Sequence, residues 1–163
     1  MTIRRIALLC WTLPFALPVS ALRAQTARDS VVTIVQEFFR SMEANDADAA
    51  RRIMLPEGHS VATWRMGDSS VVRSATFQSH FDRLRAAKDT VLERMWEPTV
   101  QVHQTVAALW TPYDLYVNGK FSHCGIDAFS LVRRKGGWMI SSVIYTVEPT
   151  GCAPSPLGPP PTR

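Results

Sequence analysis

The fold is decided by residues Thr105–Val147, which read TVAALWTPYDLYVNGKFSHCGIDAFSLVRRKGGWMISSVIYTV. This stretch is rich in β-branched and aromatic residues, and two turn signals divide it, Asn118-Gly119 and Lys135-Gly136-Gly137. Links this short join antiparallel neighbours. The sequence therefore predicts strands over residues 105–117, 122–133 and 138–147, arranged as a meander and preceded by a further strand over 91–102.

Upstream of the meander, apolar residues recur at helical intervals. The pattern predicts a helix over residues 29–44 that starts with Asp29 or Ser30 as its cap, and a short helix over 47–55, capped by Asn45-Asp46 and ended by Pro56. Residues 75–87 predict a third helix, and two weak strands are expected over 59–64 and 70–74. Helices first and strands afterwards predict an α+β fold in which N-terminal helices pack on an antiparallel sheet.

The two ends of the chain do not read as parts of this domain. Residues 1–24 have two early arginines, an apolar run and a small-residue exit, which is typical of a secretory signal peptide cleaved after Ala21 or Ala24. The apolar run is interrupted by Pro14 and Pro18 and is shorter than the roughly 20 residues of a membrane span, so no stable membrane anchor is expected after cleavage. We therefore expect a periplasmic or secreted protein. Residues 153–163 are rich in proline and predict a disordered tail, which leaves residues 29–152 as the single domain.

The net charge argues against nucleic acid as a partner. The chain has 18 basic and 14 acidic residues, but removal of residues 1–24 takes away Arg4, Arg5 and Arg23, so 15 basic residues remain against 14 acidic ones. No basic and aromatic residues alternate in the way that nucleic-acid-binding surfaces require.

Four segments resemble the nuclear transport factor 2-like superfamily, in particular its SnoaL-like members. They are NDADAARRIML (45–55), GDSSVVRSATFQSHF (67–81), VAALWTPYDLYVNGK (106–120) and FSLVRRKGGWMISSVIYTV (129–147). The resemblance implies a cone-shaped α+β barrel in which a strongly curved sheet wraps around helices and leaves a pocket at its open end. Relatives such as ketosteroid isomerase and scytalone dehydratase act without a cofactor, other members only bind, and a sheet face is often used for dimerisation, so a homodimer is a further expectation.

The Asn118-Gly119 turn also sets a strand register, because a two-residue turn places Val117 opposite Lys120. The last hairpin, closed by Arg134 and Trp138, extends that register to the final strand. The first hairpin, turning at His103-Gln104, adds Glu97. The predicted opposite pairs are Asp114 with His123, Trp110 with Asp127, Ala108 with Phe129, Tyr145 with Asp127, Val143 with Phe129 and Glu97 with Trp110.

Alternation along strands puts these residues on one face. We interpret His123 as a general base or acid, Asp114 or Asp127 as its partner or as the base itself, and Tyr145 as a donor to a developing oxyanion. Glu97, Trp110, Phe129 and Val143 would line the pocket. The alternative is a solvated structural pair near a hairpin tip, and the sequence does not decide which face of the sheet is concave.

The cysteines predict a covalent link. Without residues 1–24 only Cys124 and Cys152 remain, and the last hairpin places Cys124 opposite Glu148, so the chain beyond Pro149 can return to it. We predict a Cys124–Cys152 disulfide, with two free thiols as the alternative. The four histidines show no metal-binding spacing, so no metal site is expected.

Two classes of function stay open on the sequence. The first is a small exported enzyme that performs cofactor-free acid–base chemistry, such as isomerisation, dehydration, cyclisation or hydrolysis, on a small apolar molecule. The second is a non-catalytic periplasmic module that binds a ligand or dimerises through the same fold. A buried acid with a raised pKa would favour the first class.

Overall fold

The computed structural model describes residues 19–161. Three helices precede or interrupt a seven-stranded sheet, and the order of elements agrees with the predicted α+β fold. The elements are α1 Val19–Glu43, α2 Ala47–Ile53, β1 Met54–Met66, β2 Ser69–Thr76, α3 Phe77–Ala86, β3 Val91–Met95, β4 Thr99–His103, β5 Val106–Val117, β6 Lys120–Arg134 and β7 Gly137–Val147.

The sheet is curved, unclosed and mixed. Its order is β2-β1-β7-β6-β5-β3, and β4 also pairs with β5. The predicted antiparallel meander is confirmed for β5, β6 and β7. The expectation of a wholly antiparallel sheet is wrong, because β1 runs parallel to β7. These two strands are far apart in sequence, so no tight turn forces them to be antiparallel.

The helix boundaries differ from the predicted ones, since α2 ends at Ile53 and Pro56, the predicted breaker, lies within β1. Helix α1 already includes Val19, and Asp29 and Ser30 lie inside it, where the Ser30 hydroxyl donates to the Thr26 carbonyl (2.8 Å). The cap predicted at these two residues is therefore wrong. The cap of α2 is confirmed, since Asp46 Oδ1 accepts from the backbone N–H groups of Asp48 (3.0 Å) and Ala49 (2.8 Å). No described helix is long and apolar enough to cross a membrane.

The core lies between α1, α3 and the concave face of the sheet. Phe38 and Phe39 of α1 pack edge-on against Phe129 of β6, with ring centroids 5.6 and 6.0 Å apart. Phe77 and Phe81 of α3 are fully buried in the same cluster. Burial of these aromatic side chains on one face fixes which side of the sheet is concave.

A β-bulge corrects the predicted register of β5 and β6. The turn itself is as predicted, with Val117 opposite Lys120 and positive φ angles of 51° at Asn118 and 75° at Gly119. After one further pair, Tyr116 with Phe121, Ser122 is left unpaired in β6, so His123 lies opposite Leu115. The insertion shifts β5 by one residue against β6 and thereby turns the predicted β5 side chains to the other face.

The predicted register of β6 and β7 is correct at Asp127 and Phe129, although the pair predicted next to the turn is not. Arg133 rather than Arg134 lies opposite Trp138, and an unpaired Ser141 restores the predicted alignment further along. As a result, Asp127 faces Tyr145 and Phe129 faces Val143, as predicted.

The disulfide between Cys124 and Cys152 is confirmed, with a Cα–Cα distance of 6.1 Å. Cys124 and Glu148 exchange backbone hydrogen bonds of 3.0 and 2.9 Å, which is the opposition predicted from the sequence. Beyond the disulfide, the tail returns to the outer face of the sheet, where the Gly158 carbonyl accepts a hydrogen bond from Arg94 Nη2 (3.0 Å). The predicted leader over residues 1–24 lies mostly outside the described residues, since only 19–24 belong to α1.

Candidate functional site

A cavity of about 410 Å³ lies between the helices and the concave face of the sheet. This volume falls within the ~300–1,000 Å³ range of small-molecule sites. Its wall is largely apolar, with polar groups concentrated on β3, β6, β7 and α3. The residues that line the cavity include Phe38, Met42, Trp64, His80, Arg83, Glu93, Tyr113, Ser122, His123, Asp127, Val143 and Tyr145.

Four of the predicted site residues line this cavity: His123, Asp127, Val143 and Tyr145. All four lie on β6 or β7, where the predicted register is correct. Phe129 lies behind the wall rather than in it, because it is only 2 % exposed and packs between Phe38 and Phe39.

The other three predicted site residues lie elsewhere. Asp114 is buried on the outer face, where Arg94 binds it through two hydrogen bonds, with Nε 2.9 Å from Oδ1. Trp110 lies on the same outer face and is 57 % exposed. Both corrections follow from the bulge at Ser122. Glu97 is exposed in the link between β3 and β4 and has a positive φ of 48°, because the single predicted strand is broken there.

Sequence reasoning missed Glu93 on β3 and Tyr113 on β5, and of these two the bulge brings Tyr113 onto the cavity face. Glu93 lies opposite Leu115, and Leu115 lies opposite His123, so one row of side chains crosses β3, β5 and β6. The predicted hairpin at His103-Gln104 already gives Glu93 the same face as Glu97, so the signal was present in the sequence. His80 and Arg83 were also missed, and their i, i+3 spacing on a helix with a buried face was the available signal.

The carboxyls of Glu93 and Asp127 lie close enough to affect each other's pKa. Burial raises the pKa of Asp127 to about 7. Burial, and next the neighbouring charge of Asp127, raise the pKa of Glu93 well above its usual range. Two carboxyls this close in an apolar wall cannot both be ionised, so the pair retains at least one proton at neutral pH. Asp127 Oδ2 is buried and has no hydrogen-bond partner.

Two tyrosines and one histidine surround the carboxyl pair. The Tyr113 hydroxyl donates to the Thr146 carbonyl (2.6 Å), so it is occupied within the fold. Burial, followed by the Glu93 charge, raises the pKa of Tyr145, which therefore keeps its proton. His123 packs edge-on against Tyr113 (5.7 Å), and its Nδ1 is 2.9 Å from Ser122 Oγ. Burial lowers the pKa of His123, which favours a neutral imidazole.

The helical wall carries a different pair of groups. The ring of His80 stacks on Phe38 at 5.5 Å, and its buried Nε2 has no hydrogen-bond partner. Burial, and to a smaller extent the Arg83 charge, lower the pKa of His80 to about 4. Arg83 is therefore the one positively charged side chain among the residues that line the cavity. In the described part of the chain, no group of three His, Cys, Asp or Glu side chains could hold a metal ion.

Comparison with solved structures shows which fold the chain has. An NTF2-like protein from Novosphingobium aromaticivorans has a TM-score of 0.61 at 17% identity and covers 78% of this chain and 86% of its own. A putative dehydratase of the NTF2-like family from Streptomyces avermitilis has a TM-score of 0.58 at 13% identity, with coverages of 76% and 96%. The beta subunit of a putative aromatic-ring-hydroxylating dioxygenase from N. aromaticivorans has a TM-score of 0.64 at 10% identity, with coverages of 85% and 99%. The fold is that of the nuclear transport factor 2-like superfamily, as the sequence predicted.

Within that superfamily, the chain belongs to the family described as "Putative lumazine-binding", whose model matches residues 26–146. No curated protein matches the chain. The family and the cavity together support small-molecule binding.

Proposed function

We propose that the cavity binds a small ring-containing molecule and that Asp127 removes a proton from a carbon of that molecule and returns it. The observation that supports this proposal best is the carboxyl pair of Glu93 and Asp127, held in an apolar wall with Asp127 Oδ2 unpartnered. A buried carboxylate oxygen without a partner is costly to the fold, and a ligand that donates a hydrogen bond or a proton to it removes that cost.

The roles follow from the protonation states. The Asp127 carboxylate, with a pKa of about 7, is poised to accept a proton from a carbon beside a carbonyl group. Before the transfer, neutral Glu93 donates a hydrogen bond to this carboxylate. The Tyr145 hydroxyl keeps its proton and is a donor for the enolate oxygen. Return of the proton from Asp127 to the same or another carbon completes an exchange or isomerisation without a cofactor.

Deuterium exchange tests the proton transfer directly. The probe is 2-tetralone, a fused two-ring ketone with acidic carbons on both sides of the carbonyl, incubated with the protein in D₂O and followed by proton NMR. We expect faster loss of the C–H signals than in buffer, and a rate that falls at least about tenfold in Asp127→Asn, as for removal of a general base. His103→Gln is the control, because His103 is exposed at the end of β4 and is not among the residues that line the cavity. A rate equal to that of buffer would refute the catalytic proposal.

The family description favours a second, non-catalytic function, in which the same pair binds a lumazine-like ring. A neutral carboxyl donates to a ring carbonyl while a carboxylate accepts from the adjacent ring N–H, so the pair matches a cyclic amide edge. Binding of lumazine would quench the fluorescence of Trp64, which lines the cavity. Quenching that Asp127→Asn abolishes, together with no exchange of 2-tetralone, would assign a binding module.

We also propose export and, as a separate matter, self-association. Export is supported by the leader pattern in residues 1–24 and by the Cys124–Cys152 disulfide. Cell fractionation and the intact mass of the purified chain test it, since cleavage after Ala21 or Ala24 leaves different masses.

For a homodimer, the supporting feature is the outer sheet face, where Trp110 and Ile144 are 57 % and 51 % exposed. Light scattering of the purified protein decides the oligomeric state.

A further inference from the structure

We infer that His80 and Arg83 form an anion-binding subsite and that the ligand of the cavity is a ring compound carrying a carboxylate. This inference rests on the proposed small-molecule binding and adds the chemical class of the ligand. Both residues lie on α3, one turn apart, and both line the cavity opposite the polar strands.

Among the described residues, Arg83 has no carboxylate partner, in contrast to Arg40, Arg85 and Arg94, which form ion pairs. Its Nη1 donates to Ser79 Oγ (3.2 Å) on the same helix, and in the described part of the chain no carboxylate lies within ion-pair distance of it. Arg85, two residues further on, contacts Asp48 (3.6 Å) and Asp82 (3.5 Å) instead. The two arginines therefore differ in that only Arg83 lines the cavity with its charge uncompensated.

The Arg83 charge reaches into the cavity. It lowers the pKa of His80 on the helical wall and acts in the same direction on the pKa of Tyr145, across the cavity on β7. Arg83 is exposed, so the guanidinium lies at the solvent side of the wall. A carboxylate bound there would gain charge-assisted hydrogen bonds while its ring faces the apolar interior.

His80 supplies the second and independent observation. Its Nε2 is buried without a hydrogen-bond partner, and the ring is held by stacking on Phe38. Because the imidazole is neutral at pH 7, one of its nitrogens carries a hydrogen that it can donate. A carboxylate at Arg83 is the kind of ligand group that accepts from such a donor. The carboxyl pair of Glu93 and Asp127 would repel the same anion, which orients the carboxylate toward α3 and the ring toward the sheet.

A matched pair of probes tests the inference with the full oxidised chain and isothermal titration calorimetry at pH 7.5. The probes are 2-naphthoate and 2-naphthamide, which share the fused ring and differ in charge. We expect 2-naphthoate to bind at least about tenfold more tightly, as for a hydrogen bond to a charged group. Arg83→Gln should reduce the ratio to within about twofold, Arg83→Lys should retain part of it, and Arg85→Gln should leave it unchanged.

The outcomes separate this inference from the function on which it rests. Equal binding of both probes to the wild-type chain would overturn the anion subsite and leave a cavity that accepts neutral rings. A preference for the carboxylate that survives Arg83→Gln would place the anion elsewhere and also overturn it. If neither probe bound, both the subsite and the proposed binding of ring compounds would be overturned. Since Arg83 is exposed, the Gln variant is expected to fold, which circular dichroism verifies.

Discussion

Opening the Cys124–Cys152 disulfide should lower the free energy of unfolding by about 3.6 kcal/mol at 25 °C. The bond closes a loop between residues 28 positions apart. The chain-entropy relation for a loop of that length gives a loss of about 12 cal/mol/K in the unfolded state, which is about 3.6 kcal/mol. The perturbation is the double substitution Cys124→Ala/Cys152→Ala, which removes the link and leaves no thiols in a chain that starts at Gln25.

The assay is urea unfolding followed by tryptophan fluorescence. Three samples are compared: oxidised wild type, wild type in reductant, and the double variant. The reduced wild type and the double variant should agree with each other and should both lie about 3.6 kcal/mol below the oxidised protein. A difference below about 1 kcal/mol between the oxidised protein and the double variant would refute the loop-closure reasoning.

A truncated chain shows whether the bond acts through loop closure or through the tail that follows it. The tail beyond Cys152 contacts the body through the Gly158 carbonyl and Arg94. A chain that ends at Cys152 keeps the disulfide and loses this contact. We expect it to retain most of the stability, because a single exposed hydrogen bond contributes only about 1 kcal/mol. If the truncated chain lost as much as the double variant, the stabilisation would belong to tail packing and not to the constrained loop.

Two further predictions concern the strands around the site. Gly125→Ala should cost more than about 2 kcal/mol in urea unfolding, because a Cβ there would overlap the Thr146 carbonyl oxygen. Gly136→Ala, with nothing within 4 Å of the added Cβ, should cost less than about 1 kcal/mol, and equal costs would refute the packing argument. The raised pKa of Asp127, about 7 against an ordinary value of 3.8, means that the folded state holds an extra proton between these values, so this carboxyl costs stability as pH rises from about 4 to 7. In that window, Asp127→Asn should therefore change the slope of unfolding free energy against pH by up to about 1.4 kcal/mol per pH unit relative to wild type. Urea titrations at several pH values measure these slopes. Identical slopes for the variant and the wild type would contradict the raised pKa of Asp127.

The features that could be predicted from the sequence are those that short turns and caps determine. Asn118-Gly119 allows positive φ at both positions, so the hairpin and its first pair could be placed from two residues. The cap at Asp46 and the disulfide could be predicted for the same reason, since each depends on a few residues with specific geometry. These local constraints recovered the fold class and the order of elements.

The two β-bulges could not be predicted, and they determine which strand residues face the cavity. Ser122 and Ser141 are the unpaired residues, and nothing in their local sequence differs from an ordinary strand. In the structure each makes a local side-chain contact, Ser122 with His123 Nδ1 (2.9 Å) and Ser141 with the Ser130 carbonyl (3.0 Å). One bulge cancelled an error in the β6–β7 turn, while the other moved Asp114 out of the predicted patch.

Glu93 was missed for a different physical reason. A lone acid in a short strand is usually solvated, and it becomes plausible inside only when its buried partner is known. That partner, Asp127, lies on β6 and becomes a neighbour only through the curvature and register of the whole sheet. The predicted register puts both residues on one face, but it does not show that they are buried side by side.

The edge strand β3 shows how the two faces of the sheet use charge in opposite ways. Glu93 points into the cavity, where it is kept neutral beside Asp127, and the next residue, Arg94, points outward and is tied to Asp114 and Gly158. β3 pairs only with β5 among the described strands, so the Arg94–Asp114 ion pair and the Arg94–Tyr116 hydrogen bond (3.4 Å) help to hold this edge to its neighbour. Charge is thus retained on the outer face, where a fixed partner compensates it, and suppressed on the inner face, where a proton is available for chemistry. The position of the Glu93 carboxyl in the cavity therefore depends on an ion pair on the opposite side of the same strand.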